Sequence, residues 1–65
     1  MNYITLGQLS NFMWYVQKIQ VKDEKDIILF DGVNSQLQSV ICKDICNRWV
    51  RGFGSIDDVL IVTII

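Results

Sequence analysis

The segment DDVLIVTII, Asp57 to Ile65, limits the folds open to this chain more than any other stretch. After two aspartates come seven residues that share one side-chain oxygen, that of Thr63. A membrane helix needs about 20 apolar residues, so a run this short does not span a bilayer. β-Branched residues dominate it, which favours a strand over a helix. In a strand, Val59, Ile61 and Thr63 point one way and Leu60, Val62 and Ile64 the other. Both faces are then mostly apolar, and both need cover. Either the strand is central in a well-wrapped sheet, or its second face meets another molecule. We expect a homodimer, with a monomer carrying a partly apolar face as the alternative.

Composition sets what else is available. At 65 residues the chain is read as a single domain, 1–65. A domain of this size buries only about 60% of its unfolded surface and is marginal without a staple or a partner. Hydrophobic residues make up 51% and charged residues 20%, which argues for a folded rather than a disordered chain. The net charge of −1 lacks the basic excess of a nucleic-acid binder, so no direct nucleic-acid contact is expected. The chain contains no His, no Pro and no Ala. Without His it lacks the side chain best suited to proton transfer near neutral pH and the commonest metal ligand, and no enzyme activity, cofactor or metal is expected. The N-terminus shows neither the basic region nor the long apolar core of a signal peptide, so a bacterial cytoplasmic location with reduced cysteines is expected, and no membrane association.

The pattern along the chain predicts an α+β domain. Thr5 is placed to cap a helix carrying Leu6, Leu9, Phe12 and Met13 at helical spacing. YVQKIQVKD alternates as a strand, with Ile19 and Val21 inward and the lysines outward. Asp23 to Asp26 turns the chain into a second strand, IILFDG, which Asp31-Gly32 is expected to stop. Asn34 or Ser35 is placed to cap a helix from about Ser35 to Cys46. Trp49 to Phe53 reads as a third strand, Ser55 to Asp58 as a turn, and Val59 to Ile64 as the fourth strand. The expected order is αββαββ: a four-stranded antiparallel sheet with helices on one face.

Three short pieces, ITLGQL at Ile4 to Leu9, LFDG at Leu29 to Gly32 and DDVLIVTI at Asp57 to Ile64, resemble small accessory proteins encoded by phages and prophages of low-GC Gram-positive bacteria. The stretch CKDICNRWVRGFG departs from that pattern. The resemblance implies the same element order and a mobile-element setting. In that setting tiny proteins often bind a host protein, and inhibition of host defence, CRISPR nucleases included, is a recurrent role.

Several clusters are candidates for contact with a partner. Asp23, Glu24 and Asp26 lie in one turn and Asp57 and Asp58 in another. If the two tips converge, they form an acidic patch able to grip a basic channel in the manner of phosphate; otherwise they are turn residues that bond nearby amides. Trp14, Tyr15, Trp49 and Arg51 are of the types enriched at protein interfaces. Alternation in RWVRGF would place Trp49, Arg51 and Phe53 on one face, either as a stacking surface for a nucleotide or as core. Cys42 and Cys46, four apart, share a helix face. They read as core residues, with half of an intersubunit zinc site as the sharper alternative. Gly52 and Gly54 are not followed by a helix, which argues against a phosphate loop.

The expected function is therefore non-enzymatic binding and inhibition of a host or defence protein by surface occlusion. The alternatives are a self-assembling accessory protein and a dimeric protein that sequesters a small ligand such as a nucleotide.

Overall fold

The computed structural model describes residues 3–37 and 43–65. In chain order its elements are α1 (Leu6–Asn11), β1 (Lys18–Lys22), β2 (Ile28–Val33), α2 (Asn34–Leu37), α3 (Lys43–Cys46), β3 (Val50–Ile56) and β4 (Val59–Ile64). The chain is α+β, as expected, but two short helices stand where one was predicted, at the two ends of the Ser35–Cys46 stretch. The middle of that stretch, with Val40, Ile41 and Cys42, lies outside the described residues.

The sheet is mixed rather than antiparallel. Its order is β2-β1-β4-β3. Each hairpin is antiparallel, β1 with β2 and β3 with β4, but the two hairpins meet through a parallel pair, β1 with β4. The cause lies in the connection between them. β2 ends at Val33, opposite Lys18 at the start of β1, whereas β3 begins at Val50, opposite Ile64 at the end of β4. The chain has thus travelled the length of the sheet between the hairpins. The second hairpin enters from the far end, and β4 runs alongside β1 in the same direction.

This arrangement places the two cleanest apolar strand faces side by side at the centre. Ile19 is level with Leu60, and Val21 with Val62. Ile19, Val21, Val62 and Ile64 are fully buried together with Leu6 from α1 and Leu37 from α2. Ile45 and Cys46 from α3 pack against the same cluster, so the helices do cover one face. Each such aliphatic side chain contributes roughly 1.5–3 kcal/mol by leaving water. The opposite face carries Lys18, Gln20 and Lys22 from β1 and Val59, Ile61 and Thr63 from β4. The described helices do not cover it, and the three β4 residues there are half-buried.

Several local expectations change. Asp31-Gly32 does not stop β2: Gly32 pairs with Ile19 and Val33 with Lys18. The strand is close-packed there: a Cβ at Gly32 would meet the Phe30 ring at 3.3 Å and would have to push aside the Gln36 side chain, whose Oε1 lies 2.7 Å away. Ser55 and Ile56 belong to β3, so the second hairpin turns on Asp57 and Asp58 alone. Both have positive φ, 51° and 65°, as a two-residue type I′ turn requires, and Asp tolerates that conformation better than most residues. Thr5 does cap α1, in a capping box with Gln8. The helix ends at Asn11, which leaves Phe12 as its C-cap, out in solvent instead of in the core.

Candidate functional site

The parallel seam separates the two acidic turns. The Asp23–Asp26 turn follows the end of β1, and the Asp57–Asp58 turn precedes the start of β4. With β1 and β4 running the same way, the turns lie at opposite ends of the sheet, roughly 15–20 Å apart at the usual rise per strand residue. The tips do not converge, and a single acidic patch does not form.

The acids at the first turn are engaged with their own fold. Asp23 accepts from the amides of Lys25 at 2.8 Å and Ile27 at 3.0 Å. Asp26 pairs with Lys22 at 3.1 Å, and Glu24 with Arg51 at 2.8 Å. Trp49 sits at this end too, tilted against Tyr3 with ring centroids 6.1 Å apart. A bulge between Val50 and Gly52 breaks the alternation predicted for Trp49, Arg51 and Phe53, so these side chains do not form one stacking surface.

The other end is different. Among the described residues neither Asp57 nor Asp58 has an ion-pair partner. Beside them stands the loop from α1 to β1, with four large apolar side chains in five residues turned to water. Phe12 is 85% exposed, Trp14 79%, Tyr15 70% and Val16 76%. Burying such side chains is what ordinarily keeps a loop of this composition in place. Trp14, Val16, Gln17 and Lys18 enclose a 430 Å³ depression with Asp57 and Asp58. The Gln17 side-chain amide, part of its lining, donates to the carbonyls of Lys18 and Asp58 at 2.9 Å each.

A polar anchor beneath the loop fixes it instead. Asn34 is fully buried. Its side-chain amide donates to the carbonyls of Ser10 at 3.0 Å and of Met13 and Trp14 at 3.2 Å each. Its Oδ1 accepts from the Ser10 hydroxyl. Three carbonyls can be met only by an NH₂ group, so the orientation of the amide is determined. Two backbone bonds complete the anchor: the Asn34 amide donates to the Gln17 carbonyl at 2.8 Å, and the Ser35 amide to that of Tyr15 at 3.0 Å. Asn34 is thus not the free-standing helix cap predicted from its position; its side chain faces the loop.

Of the residues singled out in the sequence, the structure therefore brings Trp14 and Tyr15 to the same end as Asp57 and Asp58. It brings Arg51 to Glu24, and leaves Trp49 with the acidic turn at the opposite end. Phe12, Val16 and Asn34 belong with the first group and were not foreseen there. An apolar run, FMWYV, just past the end of a helix was the available signal. Cys46 donates from Sγ to the Leu37 carbonyl at 3.3 Å, and Cys42 lies outside the described residues. Among the described residues no group of three or more His, Cys, Asp or Glu is assembled. No described helix is long and apolar enough to cross a membrane. No family model, curated protein or solved structure matches the chain.

Proposed function

We propose that this chain is a non-enzymatic binding protein that docks the Phe12–Val16 loop, flanked by Asp57 and Asp58, onto a basic surface of another protein and so occludes it. The observation that carries the reading is the loop itself. Four large apolar side chains are held in water by a buried asparagine, and a fold gains nothing from that display. Fixing the loop in advance lowers the ordering cost of docking it. The neighbouring carboxylates give the surface a preference: arginine and lysine side chains pair with carboxylates and lie over aromatic faces. In the mobile-element setting implied by the sequence resemblance, the partner is a host or defence protein, for example a nuclease with a basic nucleic-acid channel.

The test is capture of partners from a low-GC Gram-positive host with the tagged chain, run beside Trp14→Ala/Tyr15→Ala and Asp57→Asn/Asp58→Gly variants. Each variant is first shown to melt no lower than the parent. A stoichiometric partner lost from both variants, whose activity falls when the parent chain is added, supports the proposal. A partner that both variants retain removes it.

A further inference from the structure

The outer edge of β3 plays no part in loop docking. In the order β2-β1-β4-β3 this strand has a sheet neighbour on one side only. An edge strand offers its backbone N–H and C=O groups to any strand that fits, and proteins usually guard it with proline, lysine or an inward charge. Gly52–Ile56 carries none of these. Phe53 and Ile56 stand 63% and 65% exposed.

The surroundings select the occupant and its register. The start of β3 is already covered, because the Val50 amide donates to the Ile4 carbonyl at 2.8 Å and Thr5 bridges to Trp49. The open edge therefore runs from Gly52 to Ile56. When two copies pair edge to edge in antiparallel fashion, the two-fold axis is perpendicular to the sheet and opposed residues share a face. An axis at Phe53 would set Ile56 of the second copy against Val50, where the edge is taken. An axis at Ser55 would shorten the ladder. An axis at Gly54 matches the open stretch with itself: Gly52 faces Ile56 of the second copy, and Phe53 faces Ser55.

Two complementarities follow from that register alone. Arg51, in the bulge just before Gly52, comes beside the Asp57 turn of the second copy, twice by symmetry, although the two residues stand at opposite ends of β3 within one chain. Arg51 already holds Glu24, and its five donors leave room for a second carboxylate. On the open sheet face, Gly52 and Gly54 form part of a 530 Å³ hollow also lined by Ile56, Ile61 and Thr63. A Cβ built on either glycine meets nothing within 4 Å, and neither glycine has positive φ. What they supply is space rather than a special backbone conformation, and Ile56 of the second copy falls onto Gly52.

We propose that β3 pairs antiparallel with β3 of a second copy about an axis through Gly54, with Ile56 seated over Gly52 and Arg51 paired to Asp57 across the contact. The two sheets then join into one. This shares Asp57 with the proposed docking surface but does not rest on the docking role of the aromatic loop, and the purified chain alone tests it.

Light scattering from about 10 μM to about 1 mM, the range suited to a small interface, should show mass rising from monomer to dimer. A monomer throughout overturns the proposal. In a mixture of labelled and unlabelled chains, isotope-filtered NOEs should connect Phe53 of one copy to Ser55 of the other. Intermolecular contacts confined to Val59 and Ile61, or to the aromatic loop, overturn it. Ile56→Lys, at an exposed site that leaves the monomer fold alone, should raise the dimer dissociation constant about tenfold or more, while Trp14→Ala leaves it unchanged. Equal dimerisation by the Ile56→Lys chain overturns the register.

Discussion

Replacing Asn34 by alanine tests whether the aromatic loop is held by the fold or merely drawn against it. The substitution removes one accepted bond from Ser10 and an amide whose two protons serve three carbonyls. That amounts to about three net hydrogen bonds, each worth about 1 kcal/mol, and the buried Ser10 carbonyl loses a donor that solvent does not readily replace. The expected loss is about 3 kcal/mol. A domain of this length has roughly 3–10 kcal/mol in total, so the variant should sit near the edge of folding. In urea, with a slope of about 1 kcal/mol/M for so small a chain, the midpoint should fall by about 3 M. Asn34→Asp sharpens the test because it changes no volume. It turns an acceptor toward three carbonyls and buries a charge, so at neutral pH it should cost more than Asn34→Ala. The introduced carboxyl would have a folded-state pKa raised above its unfolded value, so folding takes up a proton. Stability should therefore recover as pH falls through that raised value, and be lost again as pH rises. A loss under about 1 kcal/mol for Asn34→Ala, with no pH recovery in the aspartate variant, would refute the claim that this side chain pins the loop.

Other substitutions probe separate parts of the molecule. Trp14→Ala removes a side chain that is 79% exposed, so thermal stability should change by no more than about 0.5 kcal/mol while partner capture is lost. Asp57→Asn/Asp58→Gly supplies the preferred type I′ pair at two positive-φ positions and should stabilise the hairpin by about 0.5–1 kcal/mol in thermal melts, even as it removes both carboxylates. Thr5→Ala deletes the capping box of a six-residue helix and should cost about 1 kcal/mol in urea titration. Ile64→Ala, at a fully buried site, should cost about 2–5 kcal/mol by the same assay.

The fold is legible in the sequence where a residue's neighbours in the chain decide its fate. Period-two alternation put Ile19 and Val21 inward, and the apolar run at Val59 marked β4 to the residue. The Thr5 cap followed from a local pattern that carries its own hydrogen bonds. It is not legible where distant parts decide. Whether β4 runs with or against β1 depends on where the chain emerges after α2 and α3, and no window of residues encodes that. Asp31-Gly32 looks like a strand stop and Ser55 like the start of a turn because Asp, Gly and Ser are frequent turn residues; here Gly32 packs against Gln36 and Phe30 inside β2, and Ser55 and Ile56 extend β3. Among the candidate contacts, Trp14 and Asp57 were identifiable as types, but their adjacency was not. Asn34 resembled a helix cap because an asparagine before a helix usually is one, and its partners lie 20 to 24 positions back along the chain.

The parallel seam also bears on how the chain reaches this fold. Each hairpin closes over a short loop and can form early and independently. The core cannot, because Ile19 and Val21 are completed by Val62 and Ile64 from the other hairpin, and that pairing spans a separation of 41 positions. Closing so large a loop costs entropy before any burial repays it. Docking of the two hairpins should therefore limit the folding rate. Core truncations along β1 and β4 should slow folding in a chevron analysis, while changes confined to β2 or to the aromatic loop should act mainly on unfolding. On the ribosome the first hairpin waits with its apolar face open until β4 has emerged, and in that interval the chain is most exposed to capture by other surfaces.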